Sequence, residues 1–406
     1  MTNTTNIQQD TDVPKGYKKT PLGVIPKEWE VKRVDEFAPL QRGFDLPIDK
    51  IIEGKFPVVF SNGILNFHNE FKAKAPGVVT GRSGTIGKVT FVEEDYWPHN
   101  TALWVTDFKG NNPKYVYYFY SSFNLIRFGS GSGVPTLNRN DVHLQKIALP
   151  PLPEQQKIAE ILSTWDMAIE KQNALIEQLE LRKRGLMQQL LTGKLRLRNA
   201  EGERFKGEWK KVRLGEVFKL LKGAGLSKDK LEVEGKYPCI LYGELYTSYN
   251  EIIKEVNSYT NYEEGTKSKK GDILIPSSTT TNGIDLITSS CIAIDDVLIG
   301  GDVIILRPKK DVNSEFFSLL FSNALKAKFV KFTQGVTIIH IYGKDIINEK
   351  VSLPSFSEQT AIAEVLSTAD REIEIEKQKL AALQNQKKGL MLVLLSGRVR
   401  VKVSEQ

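Results

Sequence analysis

The sequence predicts an α+β protein built as a pseudo-two-fold repeat. Two variable domains of short twisted β-sheets plus a few helices are each followed by one long helix, and the two long helices pair as an antiparallel coiled coil. Three observations predict this. Leu149 to Leu197 (LPPLPEQQKIAEIL to LLTGKLRL) aligns without a gap on Leu353 to Val401 (LPSFSEQTAIAEVL to LLSGRVRV) at a constant offset of 204. About 22 of the 49 paired positions are identical, far beyond chance. Ahead of each copy lies a stretch of short β-rich runs punctuated by Gly, Asn and Asp, and within each copy apolar residues recur in heptads.

In chain order, residues 1–20 read as a loose N-terminal tail, without the basic and apolar regions of a signal peptide. Residues 21–150 form the first variable domain, 151–197 the first long helix, 198–353 the second variable domain and 354–401 the second long helix. The variable domains repeat faintly: PKEWEVKRVDEF, with Trp29, matches KGEWKKVRLGEVF, with Trp209. Gly77 corresponds to Gly271, and Ser132-Gly133-Val134 to Gln334-Gly335-Val336. The second copy carries about two dozen extra residues, for instance around NSYTNYEEGTKSKK, as a shared scaffold with divergent loops would. Strands are expected at Phe56 to Phe60, Gly77 to Thr80, Ile86 to Val92 and Ala102 to Thr106. In the second domain they are expected at Tyr237 to Leu241, Asp272 to Pro276, Cys291 to Asp295 and Asp302 to Leu306. One helix follows Asn112 and one follows Asn313.

Each long segment opens at a proline-marked stop (Pro153, Pro354), has no internal proline, and closes at a glycine placed as a C-terminal cap (Gly193, Gly397). Each should be one helix of about 38 residues, roughly 57 Å long. The apolar seam has polar exceptions at Gln172 and Lys183 on one helix and Glu376 and Lys387 on the other. An antiparallel register sets Gln172 against Lys387 and Lys183 against Glu376. It also places Trp165 opposite Leu394 and small Ala369 opposite Leu190, whereas a parallel pair would oppose Lys183 to Lys387. The other reading is that these polar residues lie at a solvent edge.

Composition narrows the function classes. With 406 residues and 40% hydrophobic content there is material for two or three cores, and no apolar run approaches membrane-spanning length. The net charge of +7, from 56 basic and 49 acidic residues, permits a polyanion partner on a patchy surface. Cys239 and Cys291 are too few for a disulfide framework or zinc site and read as buried free thiols in a reducing cytoplasm. His68, His99, His143 and His340 show no metal-ligand spacing. GRSGTIGK fails as a phosphate loop: its glycines are one residue too far apart, Val89 stands where Ser or Thr is needed, and a β-like run follows. Asn111-Asn112-Pro113-Lys114-Tyr115 lacks the second proline of an amino-methyltransferase motif, and Asn-Pro before a helix is ordinary capping. No catalytic constellation survives.

The Trp-led variable domain, SGVPTLNRNDV, LPPLPEQQKIAEIL and the helix ending LLTGKL, then the whole again with LPSFSEQTAIAEVL and LLSGRV, resembles the specificity subunit of type I restriction–modification systems. The resemblance runs from about Pro21 to Val401. It implies that each variable domain is a target-recognition domain reading one half of a bipartite asymmetric DNA site. It implies further that the paired helices set the spacing and dock two DNA methyltransferase subunits, with restriction/translocase subunits added. Cofactors would then belong to partners, S-adenosylmethionine to the methyltransferase and ATP with Mg to the restriction subunit, and none to this non-catalytic chain. The alternative is a coiled-coil scaffold that bridges proteins without reading DNA.

Base edges are read by Arg, Lys, Asn, Gln, Ser and Thr, and phosphates by basic and hydroxyl side chains. Loops of that character in the first domain offer Gln41, Arg42, Ser61, Asn62, Arg82, Ser83, Thr85, Lys88, His99, Asn100, Ser132 and Arg139. The second domain offers Lys222, Lys228, Tyr242, Ser277, Ser278, Thr279, Thr280, Asn282, Gln334, Thr337, His340 and Lys344. Gly- and Ser-rich loops are also what any hairpin requires. PSSTTTNG replaces GRSGTIGK in the second domain, so the two half-sites should differ.

Overall fold

A computed structural model describes residues 13–131 and 133–403. The chain forms two compact units, Met1–Asn173 with Gln378–Gln406, and Ala174–Lys377. Each unit therefore combines one variable domain with half of each long helix.

In the first unit the strands Leu40–Arg42, Ala102–Val105, Gly77–Gly81 and Val89–Val92 lie side by side in that order, all antiparallel. A second sheet orders Gly63–His68, Phe56–Phe60 and Trp97–Pro98, and Glu30–Arg33 pairs with Lys146–Leu149. The helix Pro113–Ser122 starts with proline at its first turn, and Asn112 Oδ1 accepts the Tyr115 N–H at 2.9 Å. Its face carrying Tyr115, Val116, Phe119 and Tyr120 is buried with Trp29, Val34 and Phe37 in one aromatic-rich core. The strand at Val89–Val92 is shorter than expected, because Gly87 at φ +90° keeps Ile86 to Lys88 in a turn. The stretch expected to be a loose tail is ordered over Tyr17–Thr20. That strand pairs with Gly23–Pro26, and the Tyr17 hydroxyl donates to Gly397 O at 3.0 Å.

The second unit repeats the plan. Phe218–Lys222, Val303–Pro308, Ile273–Pro276 and Ser290–Ile292 take the same order, and the extra residues add a fifth strand, Ile252–Ile253, beside the last. Lys210–Arg213 pairs with Lys350–Leu353. Asn313 caps the helix Ser314–Ser322 as Asn112 caps its counterpart, accepting from Phe316 N at 2.8 Å.

The long helices span Leu152–Leu190 and Phe356–Leu395, 39 and 40 residues, with Gly193 and Gly397 at φ +71° and +70° beyond their ends. Their halves pack antiparallel within each unit, but one heptad away from the expected register. Ile158 and Leu162 share a core with Leu390 and Leu394, and Leu186 and Leu190 share one with Ile362 and Leu366. The carboxylate that receives Lys183 is accordingly Asp370 instead of Glu376, and Lys387 bonds Asp166 instead of lying against Gln172. Ala369 is buried, Leu394 joins the first core, and Trp165 stays half-buried. A seven-residue repeat is unchanged by a seven-residue shift, so the packing of the helix ends against the domain cores selects the register.

Candidate nucleic-acid interface

In each unit three segments converge: the end of an edge strand, the loop after a central strand, and the run into a short helix. In the first these are Gln41-Arg42, the loop after Gly77–Gly81, and Thr136 to Arg139 leading into the helix Arg139–His143. They enclose a cleft of about 700 Å³ lined by Gln41, Arg42, Arg82, Ser130, Thr136, Asn138 and Arg139. The backbone joins them: Arg82 N–H donates to Thr101 O at 2.9 Å, and Leu137 N–H donates to Arg82 O at 2.7 Å. Gly81 permits the close return of the loop, since a Cβ there would lie 1.7 Å from Thr85 O. Arg42 is exposed and shares Asp45 at 3.1 Å, and Asn100 bonds the same carboxylate.

The other first-domain candidates divide. Ser61, Asn62 and Lys88 meet at two adjoining turns, where the Lys88 ammonium donates to Asn62 O. Thr85 is exposed, Ser83 is half-buried and Ser132 lies outside the described residues. His99 faces inward: Nε2 lies 3.1 Å from Leu46 O and Nδ1 2.9 Å from Thr101 Oγ1, and burial holds its pKa below the ordinary 6.5. Both ring nitrogens are occupied, so His99 is corrected to a structural residue. Thr101, absent from the sequence reading, gathers the loops, accepting Arg82 and Ser83 N–H on its carbonyl and Ser61 N–H on its hydroxyl.

In the second unit Lys222 ends Phe218–Lys222, Ser277 follows Ile273–Pro276, and Lys344 lies in the short helix Gly343–Ile347. Ser278–Thr279 pairs with Ile339–His340, and this cover buries both hydroxyl residues, 4% and 1% exposed. Their assignment as base contacts is corrected for that reason. Thr280, Gln334 and Thr337 are exposed, and His340 is half-buried with its ring 6.4 Å from Tyr342. The Asn282 carboxamide oxygen accepts Ile284 N–H at 2.9 Å within its own turn. Lys228 and Tyr242 belong to segments outside this frame, Tyr242 half-buried against a core and Lys228 exposed in the turn Lys228–Lys230.

A second set of residues with no assignment from sequence joins each domain to the helices. At the start of the first long helix, buried Glu154 accepts Trp29 Nε1–H at 2.9 Å and the guanidinium of Arg400 at 2.7 and 3.0 Å. Gln155 accepts Asn112 N–H at 3.0 Å and donates to Asn111 Oδ1 at 2.8 Å. At the repeat offset, Glu358 takes Arg196, and Gln359 accepts Asn313 N–H at 2.9 Å. The Glu-Gln pair of the LPPLPEQ motif is thus a junction. Its repetition was the available signal.

Neither cysteine is primed as a nucleophile. Burial pushes the Cys239 and Cys291 thiols up to about 11 and about 12, away from reactive thiolate. Among the described residues no cluster of three His, Cys, Asp or Glu side chains is placed to hold a metal, and no helix is long and apolar enough to cross a membrane.

The family model for the type I restriction modification DNA specificity domain matches twice, over residues 26–181 and 206–385. The chain belongs to this family. Specificity subunits of type I restriction enzymes from Methanocaldococcus jannaschii, MjaVIII and the provisionally assigned MjaX, are each 26% identical to it. They align over 93% and 96% of this chain and 94% and 97% of their own. The S subunit of a type I restriction–modification system from M. genitalium shares the fold, with a TM-score of 0.57 at 19% identity over 90% of this chain and 96% of that one. This type I specificity chain is a DNA sequence-recognition subunit, non-catalytic by itself, with DNA and other subunits of such a system as its partners.

Proposed function

We propose that the two domains read the two unlike halves of a bipartite, asymmetric DNA site. The observation that carries this is one three-segment frame built twice with different side chains. Gln41, Arg42, Arg82 and Arg139 line the first cleft, while Lys222, Ser277 and Lys344 occupy the corresponding segments of the second. Arg offers bidentate hydrogen bonds to guanine, and Lys and Ser a different set, so the half-sites differ. Ser61, Asn62, Ser83, Thr85, Lys88, Thr280, Gln334 and Thr337 supply further base or phosphate contacts.

In the same reading, residues 21–150 and 198–353 are the recognition domains. The paired helices set the spacing between half-sites and dock two methyltransferase subunits, which bring S-adenosylmethionine. Restriction subunits bring ATP and Mg, and the assembly works in the cytoplasm. Two modest half-site contacts carried by one chain multiply into high specificity. Co-expression with its methyltransferase, followed by genome-wide mapping of methylated adenine, tests this. The expected result is one motif of two short unlike halves around a fixed unread gap. A stable complex that leaves no new methylation would favour a bridging scaffold.

A further inference from the structure

The two domains join the long helices through the same contacts, with one exchange of side chain. Asn112 and Asn313 cap their helices alike, and each donates its backbone N–H to the matching glutamine, Gln155 or Gln359, which fixes the correspondence of the two junctions. Six residues beyond each cap, Tyr118 matches Leu319, and on the long helices Ser163 and Asp166 match Ser367 and Asp370. In the first unit the Tyr118 hydroxyl donates to Asp166 Oδ2 at 2.6 Å and lies 3.0 Å from Ser163 Oγ. Lys387 bonds the other Asp166 oxygen, with its ammonium 5.3 Å from the centre of the Tyr118 ring. In the second unit Lys183 takes one oxygen of Asp370 in the same way, but Leu319 brings no hydroxyl. Ser367 Oγ is buried there with no hydrogen-bond partner among the described residues. An unmet buried hydroxyl costs stability, so its place in the fold asks for a physical reason.

A cleft of about 790 Å³ lies at this place in the second unit, lined by Leu319, Ser367, Asp370 and Lys183. Another wall, residues 248–255, carries the strand Ile252–Ile253, which the matching sheet of the first unit lacks among the described residues. Arg184, Lys254, Glu251 and Glu255 also line it, so the cleft offers both signs of charge. Tyr118 shows what satisfies the set at its base: a phenol that donates to the aspartate, reaches the serine and lays its ring beside the ammonium. We propose that the cleft receives a tyrosine side chain from outside the chain, carried by a methyltransferase subunit docked on the helices of the second unit. The space exceeds what one phenol fills, and walls of mixed charge suit a polypeptide segment around the ring. Tyrosine, with an apolar body and a polar tip, is a recurrent anchor at protein interfaces. The inference rests on the docking role proposed above for the paired helices.

The test uses the full chain, its methyltransferase, p-cresol as a phenol probe and toluene as the analogue without the hydroxyl. Saturation-transfer NMR should show p-cresol bound in preference to toluene, and wild type assembled with methyltransferase should no longer take p-cresol. Leu319→Tyr should fill the cleft from within, release p-cresol, raise the unfolding midpoint and weaken methyltransferase binding about tenfold, whereas Leu319→Met should keep both partners. Ser367→Ala, which removes the unmet hydroxyl, should unfold no earlier than wild type yet lose the preference for p-cresol and bind methyltransferase more weakly. Methyltransferase binding as tight as wild type in both Leu319→Tyr and Ser367→Ala overturns the anchor and leaves helix docking standing. Equal binding of p-cresol and toluene overturns the phenol site. Binding of p-cresol that persists unchanged after assembly assigns the cleft to a small phenol and overturns the partner's tyrosine. Failure of wild type to assemble with methyltransferase overturns both readings.

Discussion

Single side chains decide which polar loop residues are free to touch DNA. Arg82 and Arg139 share one cleft, whereas His99, a polar loop residue offered beside them by the sequence, has both ring nitrogens engaged within the fold. Arg82→Ala or Arg139→Ala should relax the first half of the methylated motif and cost ~1–3 kcal/mol of binding there, leaving the second half intact; competition assays with half-site variants measure this. Burial holds His99 and His143 below their ordinary 6.5, and His143 Nε2 accepts Leu40 N–H at 2.9 Å. Each native histidine therefore binds fewer protons than its unfolded counterpart. Their stabilising effect is complete above about pH 6.5 and is lost as pH falls through the depressed native values. Thermal unfolding of His99→Asn should show a shallower loss on acidification than wild type. Glu358, 1% exposed and paired to Arg196, is a buried charge whose removal strands its partner. Glu358→Ala should destabilise the second unit by about 2–3 kcal/mol, seen as an earlier unfolding transition.

Among the elements, the long helices were the most legible. Proline-marked starts, recurring heptads and terminal glycines dictate their existence and length, whereas the antiparallel sense rested on polar pairings that the structure replaces with Lys183 to Asp370 and Lys387 to Asp166. Their register was not legible, because a heptad shift preserves every apolar contact in the pattern. The bond from Lys183 to Asp370 separates the two registers. Lys183→Glu should lower stability by roughly 1 kcal/mol, since Asp370 is partly exposed. Adding Asp370→Lys should restore it, whereas pairing Lys183→Glu with Glu376→Lys should not. A double-mutant cycle by thermal unfolding distinguishes them. Strand cores such as Phe56–Phe60 and Gly77–Gly81 were equally plain from β-rich composition, but strand ends such as Ile86 to Lys88 depended on one positive-φ glycine.

For the whole molecule, the repeat has an energetic consequence. Each unit contains a domain with halves of both long helices, clasped by Glu154 to Arg400 in one and Glu358 to Arg196 in the other. The ends of each clasp are far apart in sequence, so a chain truncated after residue 353 loses helix segments from both units. Such a truncation should unfold or recruit a second copy to supply the missing helix, measurable by sedimentation. Cationic recognition surfaces also predict that DNA affinity of the assembled system falls steeply with salt, in proportion to the phosphates neutralised. A salt-insensitive affinity would favour the scaffold reading.

By itself the sequence determined that this chain is one unit written twice, that long helices connect β-rich variable domains, and which family motif it carries. Those features are periodic or local, and local preference is printed in residue order. Only the tertiary structure decided the helix register, the engagement of both His99 ring nitrogens, the burial of Ser278 and Thr279, and the junctions made by Glu154, Gln155 and their repeats. Each of these depends on residues distant in sequence meeting in space, where burial and hydrogen-bond geometry select among arrangements that the pattern alone leaves equivalent.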